Sequence, residues 1–311
     1  MIKKRLVGLL SHAKKYIIYQ VVWQWLALLC QILMIYCASV LLEQALFWEV
    51  TRQTGVSYGA LAVTAMALRF FCDRRASYAS YRASVDVKRI LRDRIYSKLL
   101  RLGAAYREKV TTSEVVQMAA EGVEQLETYF GKYLSQLFYS LLAPVTLFAV
   151  LSFINWKASL VLLICVPLIP VSIVAVQKIA RRLLNKYWGI YTELGDSFLE
   201  NLQGLTTLKI YRSDEKKAEE MDEESQKFRQ ITMKVLTMQL NSTSVMDIIA
   251  YGGAAVGMIV TLSEFTKGNL SVHGALMLIL LAAEFFIPLR LLGSFFHIAM
   301  NGMAASDKIF A

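Results

Sequence analysis

Long apolar runs alternate along this chain with stretches dense in charge and almost free of proline. Apolar residues dominate 16–42, 56–71, 133–153, 158–176, 245–265 and 274–296. A hydrocarbon core of about 30 Å takes about 20 apolar residues in helical form, so the pattern predicts six transmembrane helices. The second and fourth runs meet charge soonest. Between runs two and three (72–132), and again between runs four and five (177–244), lie good helix formers rich in Lys, Arg and Glu with no proline. In the second stretch Leu194, Phe198, Leu202, Leu205 and Leu208 recur every three or four positions, the period of one helix face. Each stretch therefore reads as a helical hairpin carried beyond the membrane. The second turns around 203–209. The first turns within 103–113, where Thr111, Thr112 and Ser113 offer an N-cap to the next helix. Across the membrane Asn155, Trp156 and Lys157 are nearly all that joins spans three and four. One face thus has two long arms and the other short loops.

Composition agrees with an all-α membrane protein: 56% hydrophobic residues and four prolines in 311 positions exclude a soluble domain of this size. Of the 34 Lys and Arg, all but Arg52, Arg69, Lys157, Lys267 and Arg290 fall in the N-terminal stretch, the two arms or the C-terminal stretch. The positive-inside rule then places both termini and both arms in the cytoplasm, in a multi-pass protein of the cytoplasmic (inner) membrane bounded by membrane lipid. The net charge of +10 follows from that asymmetry and calls for no nucleic acid. Residues 1–15, with Lys3, Lys4, Arg5, Lys14 and Lys15 around Leu6, Val7, Leu9 and Leu10, read as an interfacial helix. The apolar run behind it outlasts the core of a signal peptide, so a retained span is expected.

Candidate chemistry is sparse. Cys30, Cys37, Cys72 and Cys165 form no CxxC pair and read as small buried residues; His12, His273 and His297 are too dispersed to hold a metal or a bis-His haem within one chain. Gln20, Gln24 and Gln31 share one face of span one, either as interhelical hydrogen bonding or as the wall of a cavity. Gly253 and Gly257 make a GxxxG in span five, a close-packing signal, with Asp247 near its inner end. Span six carries EFFIPLRLLGSFFH from Glu284 to His297: Pro288 denies an N–H to the Glu284 carbonyl and predicts a kink. Arg290, Ser294, His297 and Asn301 then share a face. At 1.5 Å per residue Arg290 lies about 24 Å into its span and Arg69 about 20 Å into span two, both in the inner half. A membrane arginine is costly unless paired or wetted, so these positions mark a salt-bridge network, a polar cavity or both.

Six spans, two arms, QGLTTLKIY at the second tip, LSVHGAL opening span six and the closing AASDKIF together resemble the transmembrane domain of an ABC exporter half-transporter (exporter type 1 fold). PLIP at 167–170 and the span-six motif resemble the CydD-type subunit of the CydDC transporter, associated with cytochrome bd assembly. The resemblance covers essentially residues 1–311 and implies that an ATPase dimer grips the arm tips and drives the spans from inward- to outward-facing. Coupling would run through 106–114, with Tyr106, Arg107 and Glu108, and 203–211, with Gln203, Gly204, Leu205, Leu208 and Lys209. It implies no cofactor held by this chain, ATP and Mg on partner nucleotide-binding domains, haem as a possible ligand, and a second half-transporter, either CydC-like or a second copy. The expected substrate is a small anion, glutathione or cysteine, or alternatively haem, met by Arg69, Arg290 and His297. Gln24, Gln31, Asp247 and Ser294 would complete that cavity. Two rivals are a homodimeric exporter of lipid, peptide or drug, and a haem or redox scaffold without transport. No GxxxxGK[ST] occurs in 1–311. These residues alone are therefore expected to hydrolyse no ATP, the ATPase being either cut away or a separate chain.

Overall fold

A computed structural model describes residues 11–47, 51–103, 111–295 and 299. The described residues are helical, with no strand. The helices are α1 (Ser11–Leu46), α2 (Arg52–Leu102), α3 (Thr112–Leu151), α4 (Trp156–Gln203), the short α5 (Leu205–Ile210), α6 (Asp214–Thr266) and α7 (Val272–Phe295). All but α5 are long and apolar enough to cross a membrane. At 1.5 Å per residue the 51 residues of α2 extend about 77 Å, over twice the hydrocarbon thickness. At 53 residues α6 likewise exceeds what one crossing needs. Most of the expected interfacial stretch 1–15, the tip around 104–110 and the polar face beyond 295 lie outside the described residues.

Helix ends follow local chemistry. Thr111 caps α3, its Oγ1 accepting from Glu114 N (3.3 Å). Asn155 caps α4 through Ala158 N (3.0 Å), and Ser271 caps α7 through Gly274 N (3.1 Å). Each cap satisfies an N–H with no helical partner and contributes about 1 kcal/mol. Two helices end in Schellman closures with a left-handed residue. At the end of α6, Gly268 (φ +75°) donates to Phe265 O and Asn269 N to Glu264 O. After α5 the same pair of bonds runs from Arg212 to Lys209 O and from Ser213 to Leu208 O, with Arg212 at φ +51°. The second arm therefore breaks twice, at Gly204 inside the expected 203–209 and at Tyr211–Ser213 just past it, with the short α5 between.

The prolines act locally. In α4, Pro167 and Pro170 cannot donate to Leu163 and Val166, whose carbonyls instead accept from Val166 N and Ile169 N, each at 3.3 Å. In α7 the α-helix stops at Ala282 and passes through a 3₁₀ turn, Ala283–Phe285, ahead of Pro288. Regular bonding has resumed at Arg290 N, which donates to Phe286 O (2.9 Å). α3 contains two π-turns, Met118–Gly122 and Tyr129–Tyr133, each adding a residue to the helical repeat.

The chain forms two compact units. One comprises Met1–Ser84, Phe130–Ile173 and Thr243–Phe295 and holds the spans. Here α1 packs against α3 and α7, and Phe285 and Phe286 are buried almost completely. Lipid is as apolar as leucine, so these helices associate through shape and hydrogen bonds. Trp25 Nε1 donates to Thr146 Oγ1 (3.0 Å), Ser135 Oγ to Gln20 Oε1 (2.7 Å) and Gln136 Nε2 to Pro288 O (2.8 Å). Such bonds average about 0.6 kcal/mol each. The GxxxG glycines make notches for side chains: a Cβ at Gly253 would sit 2.7 Å from the Phe286 ring, and one at Gly257 still closer to Leu162.

The other unit comprises Val85–Tyr129, Val174–Ser242 and Phe296–Ala311. In it Met118 and Trp188 are buried beneath Tyr187 and Tyr191. Tyr191 stacks on both Tyr187 and Phe228, with ring centres 6.0 and 5.4 Å apart. Lys88 binds Glu127 at 2.5 Å, and Ser113 donates to Asp196. These contacts tie the arm helices together without lipid.

Candidate functional site

The polar residues of the span-bearing unit assemble into pairs. Asp247 on α6 and Arg290 on α7 form a two-pronged ion pair: Arg290 Nε donates to Oδ1 and a terminal nitrogen to Oδ2 at 3.4 Å. The guanidinium also lies over the Tyr251 ring, 5.6 Å from its centre, and Tyr251 is one helical turn beyond Asp247. Both fork positions of Arg290 are therefore in use. Among the described residues Arg69 on α2 forms an ion pair only with Asp73, one turn along the same helix, at 3.7 Å. Arg69 is 37% and Asp73 55% exposed, so this pair is loose.

Gln31 on α1 donates to Glu284 on α7 at 2.5 Å. Toward the start of α1, Gln24 has a buried Oε1 without a hydrogen-bond partner. The two helices run antiparallel, with Tyr36 against His273 at 5.0 Å and Gln31 against Glu284. Gln24 lies seven residues from Gln31 and Arg290 six from Glu284, so both sit about 10 Å deeper by helical rise. Trp23 touches Phe71, at 5.8 Å between ring centres, which places Arg69 near the same level. Gln20, by contrast, is buried against Ser135 and belongs to the α1–α3 contact. Ser294 turns its hydroxyl back to Arg290 O (3.4 Å). His297 lies outside the described residues, as do Tyr106, Arg107 and Glu108.

Glu284, Tyr139 and Gln136 are part of this polar belt and were not among the residues singled out from sequence. Glu284 had a readable signal, an acid inside a long apolar run. Tyr251 is legible as the residue one turn beyond Asp247, but its partner Arg290 and the partner of Gln136 lie on α7, and no spacing rule finds them. Among the described residues no group of three or more His, Cys, Asp or Glu could hold a metal ion.

The second candidate surface is the arm tip. Nothing in α5 is buried. Leu205 is exposed, Leu208 half-buried, and Gln203 and Lys209 exposed, while Gly204 ends α4 by donating to Glu200 O at 2.8 Å. Phe198, Leu202, Leu205, Leu208, Ala218 and Met221 line an open hollow of about 200 Å³. Ile210 and Tyr211 are over 70% exposed (73% and 76%), more so than either expected leucine. In the same unit burial and the hydrogen bond the phenol donates to the Glu121 carboxylate push the Tyr191 phenol up to about 12.

The family profile described as "ABC transporter transmembrane region" matches residues 15–289. An uncharacterized ABC transporter ATP-binding protein of Haemophilus influenzae is 57% identical over 288 residues, covering 93% of this chain and 51% of the relative. The glutathione/L-cysteine transport system ATP-binding/permease protein CydD of the same organism is 25% identical over 286 residues, 88% of this chain and 48% of the relative. The structure of a bacterial Atm1-family ABC exporter with ATP bound superposes with a TM-score of 0.82 at 15% identity, over 97% of this chain and 53% of that one. The chain thus spans about half the length of these relatives. With the family profile matched across most of its length, a 57%-identical relative and six membrane-length helices, the chain belongs to the ABC transporter transmembrane-region family.

Proposed function

We propose that this chain is the membrane-spanning half of an ATP-driven exporter that moves a small anionic thiol, of the glutathione or cysteine type, out of the cytoplasm in support of cytochrome bd assembly. Both termini and both arms lie on the cytoplasmic side, where nucleotide-binding domains carrying ATP and Mg grip the tip of the second arm through α5 and its apolar hollow. A second half-transporter, CydC-like, completes the assembly. The observation that carries the substrate reading is Arg69, a deep, accessible arginine whose only ion-pair partner among the described residues is a loosely held neighbour on its own helix. Its planar fork matches a carboxylate in a way lysine does not. The name printed for the CydD relative adds support for glutathione or cysteine. Arg290, held by Asp247, shapes the wall of the same region, with Gln24 supplying an unused acceptor.

Binding separates this from a purely structural role. Glutathione and haem are titrated into the assembled transporter carrying wild-type sequence, Arg69→Lys or Arg290→Lys, with Tm recorded alongside. Arg69→Lys weakens glutathione binding about tenfold at unchanged Tm, the loss of one charged hydrogen bond. Arg290→Lys mainly lowers Tm. Equal glutathione binding in all three proteins removes the anion role of Arg69, and a Soret band with glutathione indifferent moves the reading to haem.

A further inference from the structure

Glu284 lies about 15 Å along α7 from Gly274 by helical rise, near the middle of the bilayer. Its described polar partner is neutral, the Gln31 amide at 2.5 Å. Among the described residues it has no cation within ion-pair distance, whereas Asp73 and Asp247 each have one and Glu264 has two. A lone carboxylate at this depth is costly. Burial cannot hide it, because Ala282, Phe285 and Phe286 are sealed into the packing while Glu284 stays half-exposed.

The backbone adds a second, independent feature. The first α-helical segment of α7 ends at Ala282, two residues before Glu284, and gives way to a 3₁₀ turn. The C-terminal end of a helix carries about half a negative charge. Pro288, four residues on, has no N–H to offer the Glu284 carbonyl. Side-chain carboxylate, helix end and carbonyl thus gather negative potential at one place, the kind of mid-membrane broken helix that holds a cation.

We propose that Glu284, oriented by Gln31 at the break in α7, binds the ammonium group of the transported molecule. This rests on the thiol reading above for the choice of probes, not for the ammonium site itself. A free alkali cation shares the ammonium's chemistry, and the test distinguishes the two.

The assembled transporter is titrated with L-cysteine, N-acetyl-L-cysteine, cysteamine and sodium chloride against choline chloride, in wild type and Glu284→Gln, with binding and Tm read together. The Gln31 hydrogen bond can survive in the isosteric variant, and Glu284→Asp, which keeps the charge on a shorter arm, serves as a second variant. The expected result is that wild type binds cysteine about tenfold or more tighter than N-acetylcysteine. Glu284→Gln loses that preference with N-acetylcysteine binding unchanged, and Glu284→Asp falls between. If N-acetylcysteine and cysteine both fail while cysteamine stabilises wild type but not Glu284→Gln, the carboxylate reading falls and the ammonium site stands. Equal binding of cysteine and N-acetylcysteine by wild type, a preference retained in Glu284→Gln, or no probe distinguishing the two proteins overturns the proposal. Stabilisation of wild type by sodium alone, lost in Glu284→Gln, overturns it in favour of an alkali-cation site.

Discussion

Asp247 and Arg290 show how a charged pair survives among the spans: two hydrogen bonds in a fork geometry, with an aromatic ring beneath the guanidinium. Removing one partner leaves a charge uncompensated in a poor solvent, while removing both leaves none. Asp247→Leu or Arg290→Leu alone is therefore expected to lower stability by about 1–3 kcal/mol, below the range for a fully buried pair because each side chain is about one-third exposed. The double substitution recovers most of the loss, and thermal unfolding of the four proteins in a cycle checks this. Additive losses would show that the residues act separately. Gly253 makes a sharper steric case. Gly253→Val drives a branched side chain into the Phe286 ring, which is 1% exposed and has no room to retreat, so a loss of about 1–3 kcal/mol is expected in the same assay.

The helices themselves were legible because apolar length and charge asymmetry state where a chain can cross a membrane and where it must leave. The cap at Thr111 was readable for the same local reason, while Asn155, read only as part of the short connection after span three, turns out to cap α4. What sequence did not show is register: two π-turns in α3 shift which residues face inward after Gly122 and again after Tyr133, and no periodicity rule anticipates them. The turn after α5 was displaced too, because Arg212 takes a left-handed conformation where glycine would have announced it. Arg212→Gly should raise arm stability by roughly 1 kcal/mol, read as a Tm increase, by relieving that cost. Leu205→Asp with Leu208→Asp lowers Tm only modestly, since no α5 residue is fully buried, but uncouples ATP hydrolysis from transport if an ATPase grips this face. Tyr191 supplies the pH prediction. Its phenol is raised to about 12, and an acid with a raised folded pKa contributes stability that is fully present below its ordinary pKa. Arm stability should therefore be level up to about pH 10 and fall between about pH 10 and 12. Tyr187, raised by burial and by Glu121, acts in the same direction. Circular dichroism of wild type and Tyr191→Phe across that window would show a smaller decline in the variant; identical curves would remove Tyr191 as a source.

At the scale of the molecule, family membership supplies the membrane region of an ABC transporter, and the polar belt is what the proposed recognition of small charged cargo rests on. Depth was readable from helical rise, which put Arg69, Arg290, Gln24 and Asp247 near one level. Pairing was legible in part: an ion pair of Asp247 with an arginine follows from their shared level and is present with Arg290, whereas Gln31 and Glu284 are 253 residues apart and meet only through the packing of α1 on α7. The most direct measurement is uptake of radiolabelled glutathione and cysteine into inverted membrane vesicles containing the complete transporter, with ATP and with a non-hydrolysable analogue. ATP-dependent accumulation that falls in Arg69→Lys, with ATPase activity retained, is the predicted result. Vigorous ATP hydrolysis with neither thiol accumulated would contradict it.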